Sequence, residues 1–252
     1  MSYRANIVYR YDGSWRGFLC CVFECFRAKE LPAAIEFADE AQETMFPIKY
    51  IETDEELALR VERSIPVKIS PEAKQFVQDA FLSCMEEKEL KILRFLMLGF
   101  KQGGRVMKLT TNDDVHTLNR AVLQVGNEAH QFLQFLRFAE YGEFLAAQIE
   151  PKNNVLPLVV PHFCGRLSCE NFMIYDKTNR LAFVHQKTGE TEFFRVDKLA
   201  LPPVDEAERR YRALWKLFYD TVAVEGRINP KLRRTHMPMR YWPNMTEFQT
   251  GD

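Results

Sequence analysis

Two histidines and two aspartates are the residues of this chain whose types best fit acid–base chemistry. His162 lies in the stretch HFCGRLSC, His185 follows an apolar run, and Asp12 and Asp176 each stand at a predicted turn. A histidine beside a carboxylate can take up and release a proton near neutral pH. The four would support a hydrolase or a nucleic-acid-modifying enzyme only if folding brings them together. Lone histidines and aspartates at turns are commonly structural, so both interpretations stay open.

The cysteine spacing argues against an iron–sulfur cluster. Cys21 and Cys25 have the spacing of the first two ligands of the Cys-x3-Cys-x2-Cys triad of radical-SAM enzymes, but Ala28 occupies the third position. Thiolates must converge on one face of a cluster, so we expect none of that type. Together with Cys20 these cysteines are predicted to be small packing residues of a helix, with reduced thiols.

A zinc site is the second metal hypothesis. His162, Cys164, Cys169 and His185 offer two thiolates and two imidazoles, but their spacing matches no common zinc finger. We therefore predict that they are strand-end residues of a sheet core and that the protein binds no metal. The stretch GFKQGGRVMK lacks the spacing and the final hydroxyl of a phosphate-binding loop, and no cofactor is expected.

The strongest positive signal is a basic and aromatic stretch near the end of the chain. Its candidate binding residues for nucleic acid or a partner are Arg227, Lys231, Arg233, Arg234, Arg240, Tyr241 and Trp242. Guanidinium groups pair with phosphates, and each ring that stacks on an unpaired base contributes roughly 1–3 kcal/mol. Alternatively, the aromatic residues anchor a non-helical tail on the core. We expect Tyr241 and Trp242 to anchor it and the cations to face a phosphate or an acidic partner.

The charge distribution is uneven although the formal net charge is only −1. Residues 24–62 hold eleven acidic and four basic side chains, net −7, whereas residues 208–242 hold nine basic and three acidic ones, net +6. Such asymmetry indicates either a polyanion-binding face or a scaffold whose two ends neutralise each other. The sequence leaves this alternative open.

Composition favours a folded protein outside the membrane. Hydrophobic residues make up 46% of the 252 residues, with 20 Phe, which is enough for a substantial core. The first residues carry charges where a signal peptide has its apolar segment, and no run approaches the ~18 apolar residues of a membrane span. We expect a cytoplasmic protein.

Local patterns predict a helix-rich α+β fold. Alternation before Asp12-Gly13 and an apolar stretch after it indicate an N-terminal strand, turn and helix. An acidic helix is predicted over 32–44, a helix capped by Ser70 begins at Pro71, and another helix covers 205–224. Turn residues within 172–196 predict a small antiparallel meander. We expect a single domain over 1–252, with a possible sub-boundary near 202–203.

Several longer stretches resemble one bacterial family. They are YDGSWRGFL (11–19), PHFCGR (161–166), MIYDKTNRLAFVH (173–185), LWKLFYDTVAVEGRINPKL (214–232) and HMPMRYWPNMTEF (236–248). In this order they are similar to domain-of-unknown-function family 4130, whose members are labelled probable DNA metabolism proteins. The resemblance covers 9–248, and it implies no particular catalytic residues.

The resemblance implies a role beside other proteins. Members of the family are found beside a radical-SAM protein, or joined to a uracil-DNA-glycosylase-like domain that this chain lacks. We therefore expect a non-catalytic accessory protein of DNA repair or DNA metabolism that binds a radical-SAM partner, DNA, or both. Single-stranded or damaged DNA is the expected nucleic acid.

Overall fold

The computed structural model describes residues 3–4, 6–40, 43–199, 201, 203, 206–222, 229–245 and 248. These residues form mostly helices, together with small sheets, so the prediction of a helix-rich mixed fold is confirmed. The chain divides into two compact units, Met1–Val125 and Gly126–Asp252. The division lies after residue 125. A possible boundary was expected near 202–203 instead, and Pro202 lies outside the described residues. That one family domain spans 1–252 stays a prediction.

A parallel sheet occupies the first unit. Its central strand lies between two later strands, in the order β4 (Ala34–Phe37), β2 (Val8–Tyr11) and β5 (Ile48–Tyr50). A separate parallel pair joins β1 (Tyr3–Arg4) to β3 (Glu30–Leu31). The acidic helix predicted over 32–44 is wrong. Ile35 instead lies opposite Tyr9 in the β2–β4 register, where its side chain is buried.

The predicted strand, turn and helix at the N-terminus are confirmed. Strand β2 ends at Tyr11, and α1 (Trp15–Ala28) begins after Ser14, whose hydroxyl accepts a hydrogen bond from the backbone N–H of Gly17. That bond satisfies one of the amides that a helix leaves unpaired at its start. The predicted start of a helix at Pro71 behind the cap Ser70 is likewise found.

The described part of the first unit holds three further α-helices, and a fourth begins in it. They are α2 (Glu55–Lys68), α3 (Pro71–Phe81), α4 (Lys88–Gln102) and α5 (Asp113–Phe135), with a 3-10 helix over Gly103–Lys108. Their apolar residues and those of α1 form one core, in which Phe18, Ile65, Val77 and Leu93 are completely buried.

The second unit contains a five-stranded mixed sheet. Its order is β10 (Thr191–Arg195), β9 (Leu181–His185), β8 (Phe172–Asp176), β7 (Phe144–Ile149) and β6 (Ala139–Tyr141). Strands β8, β9 and β10 pair antiparallel, but β7 and β8 pair parallel. The sheet is therefore larger than the predicted one. The helix α6 (Leu156–Arg166) makes the long connection that a parallel pair needs.

After the sheet, the described residues form two helices and a 3-10 helix. They are α7 (Glu206–Val222), α8 (Pro230–His236) and the 3-10 helix Met239–Asn244. The helix predicted over 205–224 is thus confirmed over its described residues. In the described residues, no helix combines the length and the apolar character needed to cross a membrane.

Candidate functional site

Asp12 lies in the turn before α1 in the first unit, two residues before the cap Ser14. Its carboxylate accepts hydrogen bonds from the backbone N–H and the hydroxyl of Ser14, at 2.9 and 2.7 Å, and from the Thr53 hydroxyl at 2.8 Å. Partial burial opposes ionisation, but these hydrogen bonds outweigh it and lower the pKa of Asp12. An ionised carboxylate that already holds three donors serves the local fold.

The two histidines have different surroundings in the second unit. His162 is exposed on α6, its ring edge against Phe163. The prediction that His162 and Cys164 end strands is wrong, because the apolar spacing of Leu156, Val159, Val160 and Phe163 makes this stretch a helix. His185 does end β9, as predicted. There its buried ring stacks on Phe172, with centroids 4.8 Å apart, and Nδ1 donates to the Glu170 carbonyl at 3.0 Å.

Asp176 is completely buried at the end of β8. It accepts hydrogen bonds from the backbone N–H groups of Thr178 and Asn179, both at 3.0 Å, and from the Asn179 side chain at 2.6 Å. Burial raises the pKa of this carboxyl to about 6. The carboxyl therefore shapes the β8–β9 turn.

The structure does not bring Asp176 and His185 together. In the β8–β9 register His185 lies opposite Phe172, and Asp176 lies opposite Leu181 at the other end of the hairpin. Four residues of strand separate them, or about 13 Å at ~3.3 Å per residue. In the described parts of the chain no hydrogen bond joins any two of the four acid–base candidates.

The cysteines of α1 pack in the core, as predicted. Cys20, Cys21 and Cys25 are buried, and Cys25 Sγ donates to the Glu30 carbonyl at 2.8 Å. Cys164 on α6 is half-buried, whereas Cys169 is exposed. Among the residues that the structure describes, no three His, Cys, Asp or Glu side chains are grouped so that they could hold a metal ion.

Tyr241 anchors the terminal segment on α5. Its ring is buried and packs against Phe132 and Phe135, with centroid distances of 4.9 and 5.4 Å, and its hydroxyl donates to Gln131 Oε1. The expected anchoring role is confirmed for this residue. A ring enclosed in this way presents no face to a base.

Arg240 joins a buried carboxylate in the same unit. Glu128 is 3% exposed and accepts from the backbone N–H of Lys152 at 3.0 Å and from the N–H and side-chain amide of Asn153, at 2.9 and 2.6 Å. Arg240 Nη2 lies 3.1 Å from its Oε1 and also donates to the Tyr241 hydroxyl. Arg240, expected to face a phosphate or an acidic partner, is thus a structural cation.

Trp242 and Phe248 form a stacked pair beneath an arginine. Their rings are 4.4 Å apart, and the Arg233 guanidinium lies 5.2 Å from the Trp242 ring. Trp242 is half-buried, and its Nε1 donates to the Met237 carbonyl at 3.1 Å. These contacts all lie within the terminal segment, so that Trp242 anchors the segment on the core stays a prediction.

Exposed cations remain on α8. Lys231, Arg233 and Arg234 are exposed, and within the described part of the chain no ion pair involves them. Residues 229–245 contain no acidic side chain. Arg227, the remaining candidate, lies outside the described residues. Fewer residues are therefore available to meet a polyanion than the seven named from the sequence.

Two features of the second unit escaped the sequence analysis. Glu128 lies between Val125 and Phe132 on the apolar face of α5, and this placement was a signal that it has a buried partner. The other is a groove of about 550 Å³ lined by Leu133, Leu136, Phe163, Trp215, Arg137 and Arg166, among others. No short motif marks it, because its walls come from separate helices.

Comparison with known proteins identifies a matching family model. A family model described as a domain of unknown function (DUF4130) matches residues 86–247. No curated protein and no solved structure matches the chain. The matched segment contains Glu128, Asp176 and the basic helix α8, whereas Asp12 and the cysteines of α1 precede it.

Proposed function

The chain belongs to the DUF4130 family of unknown function, and we propose that it is a non-catalytic accessory protein of DNA metabolism or repair that binds DNA through α8. The match confirms the family that the sequence resembles. The role in DNA metabolism comes from that resemblance. The observation that carries the proposal is the group of exposed cations Lys231, Arg233 and Arg234 on α8, with no acidic residue between 229 and 245.

The segment after α8 supports this proposal because it is fixed at several points. Tyr241 is buried on α5, Arg240 contacts the buried Glu128, and Trp242 donates to Met237 at the end of α8. Cations on an anchored segment lose less conformational freedom on meeting a phosphate than cations on a free tail. Arginine also meets phosphate with two parallel hydrogen bonds.

The acid–base hypothesis has weaker support. Asp176 and His185 lie at opposite ends of the β8–β9 hairpin, and Asp12 and Asp176 are each occupied by hydrogen bonds of their own turns. No observation favours an enzyme built from these residues.

A radical-SAM partner is the second part of the proposal, and it too comes from the resemblance. Co-purification of the two proteins, with and without DNA, tests it. Recovery of the partner in the absence of DNA is expected. Failure to recover it under both conditions would contradict this part and leave the proposed DNA binding unaffected.

DNA binding is tested by fluorescence polarisation with single-stranded and damaged DNA at two salt concentrations. The triple variant Lys231→Ala, Arg233→Ala, Arg234→Ala should lose most of the affinity, since phosphate contacts dominate such binding. A matched control removes three exposed cations of the first unit, Lys101, Arg105 and Lys108. Equal effects of the two triple variants, or no salt-sensitive binding by the unmodified protein, would refute DNA binding through α8.

A further inference from the structure

Helix α7 carries an apolar stripe that remains exposed among the residues that the structure describes. Tyr211 is 65% exposed, Leu214 60%, Trp215 43% and Phe218 54%. These side chains follow the spacing that normally faces a core, and they extend over about 10 Å at ~1.5 Å per residue. Contiguous exposed apolar surface of this kind marks an interaction site more often than a solvated helix face.

The stripe borders the groove of about 550 Å³. Helix α7 is held there by the buried Glu208, which accepts from the backbone N–H of Glu140 at 3.3 Å and from Arg212 Nε at 2.8 Å. The groove continues from Tyr211 and Trp215 to the leucines at the end of α5. Stripe and groove thus form one apolar surface of the second unit.

The charges that line the groove are mostly positive. Arg137, Arg166 and Arg212 contribute three guanidinium groups, against the single carboxylate of Glu208. The exposed Arg210 adds a cation at the flank of the stripe on α7. A ligand that covers the apolar surface therefore meets a cationic rim.

We propose that this surface is the docking site for an acidic amphipathic helix of a partner protein. Such a helix lays apolar side chains at i, i+3, i+4 and i+7 into a groove and directs its carboxylates to the rim. The groove contains Leu133, Leu136, Leu145 and Leu167. They line it together with the rings of Phe163, Tyr211 and Trp215. The leucines offer a base neither a flat face for stacking nor donors for its edges, so this aliphatic part of the lining favours the side chains of a peptide. The proposal does not depend on DNA binding by α8.

A synthetic peptide with leucine at these spacings and glutamate elsewhere tests the proposal on the full chain. We expect it to bind, as measured by polarisation of a label on the peptide, and to change the emission of Trp215. The same peptide with lysine in place of glutamate should bind about tenfold more weakly or worse, because like charges then meet. In Trp215→Phe the emission change should disappear, while polarisation still reports binding.

Charge reversal identifies the site. Arg166→Glu should weaken binding of the acidic peptide about tenfold. Lys187→Glu reverses an exposed charge of the same unit that does not line the groove, and it should leave this binding unchanged. No binding of the acidic peptide, equal binding of both peptides, or equal effects of both reversals would overturn the proposal. Quenching of Trp215 by oligo(dT) that competes with the peptide would reassign the groove to nucleic acid. The α8 triple variant separates the two proposals, because it should lose affinity for DNA and bind the acidic peptide as the unmodified protein does.

Discussion

A buried carboxylate on the apolar side of a helix destabilises the fold unless hydrogen-bond donors or a cation surround it. Glu128 has both kinds of partner. Removing this carboxylate leaves the N–H groups of Lys152 and Asn153 without their acceptor, and an unsatisfied buried donor costs about 1–3 kcal/mol. We therefore expect Glu128→Ala to lower the free energy of unfolding by about 3 kcal/mol, most of it from these donors, because Arg240 is partly exposed and can turn to water. Urea unfolding followed by tryptophan fluorescence measures it.

An exposed ion pair of the same unit is the control for Glu128. Glu150 lies 2.9 Å from Lys177, with both side chains well exposed. Glu150→Ala should therefore cost less than about 1 kcal/mol. Equal losses for the two variants would show that the Glu128 network adds little to stability.

The stability of the second unit should depend on pH because of Asp176. Burial raises its pKa from 3.8 to about 6. The folded state therefore holds the proton more tightly than the unfolded chain, so the contribution of this group to stability is complete at low pH and is lost as the pH rises through the folded pKa. Relative to Asp176→Asn, the unmodified protein should lose up to about 3 kcal/mol between pH values of about 4 and 7.

Urea titrations at several pH values measure that difference. Asp197→Asn is the control, because the Asp197 side chain is 92% exposed. It should keep the pH profile of the unmodified protein. Parallel profiles for Asp176→Asn and the unmodified protein would contradict the raised pKa.

The partners of individual side chains were only partly predictable. The aromatic residues beside prolines indicated an anchor, and Tyr241 is one. Which acid would meet Arg240 was not predictable, because Glu128 lies far away in sequence and only the complete fold brings the two together. The acidic stretch 24–62 gave no guide to this pair, and several of its carboxylates have cations of their own unit, as Glu24 and Glu30 have Lys49.

At the scale of elements, the turn between β2 and α1 depends on one glycine. A Cβ added at Gly17 would lie 2.2 Å from Asp12 Oδ1 and 2.8 Å from Thr53 Oγ1. The Asp12 carboxylate can move away only by giving up its hydrogen bonds. Gly17→Ala should therefore destabilise the first unit by about 1–3 kcal/mol, the usual cost of overpacking, as measured by thermal unfolding.

Gly126 provides the matched comparison within a helix. A Cβ there would meet nothing within 4 Å. Gly126→Ala in α5 should stabilise the protein by up to about 1 kcal/mol, because alanine favours helix and glycine does not. If both alanine variants were stabilising, the close approach of Asp12 to α1 would be wrong.

Elements were predictable where the signal is local. Asp12-Gly13 and the turns within 172–196 identified the strands beside them. Strand β4 was missed because Glu36 and the acidic residues that follow the strand favoured a helix, whereas its pairing with β2 is a contact between distant parts of the chain. The parallel pairing of β7 with β8 was missed for the same reason, since α6 lies between them in sequence.

For the whole molecule, a net charge of −1 gives no general attraction to DNA, so any binding must come from local surfaces. Three phosphate contacts by α8 predict a slope of about −2 to −3 when the logarithm of the binding constant is plotted against that of the salt concentration. Polarisation over a salt series measures it. A slope near zero would mean that binding does not depend on phosphate contacts. A much steeper slope would mean that cations outside α8 also contact phosphates.

The segment that matches the family begins at residue 86, just before α4. Leu90, Leu93 and Leu96 of that helix are buried, and α4 packs against α2, α3 and β4, all of which precede the segment. A recombination event that transferred residues 86–247 alone would deliver α4 with its leucines facing water. The segment that the family model matches therefore excludes helices and a strand against which α4 packs. A host that inherits it must inherit the earlier helices as well, or supply an apolar surface of its own in their place.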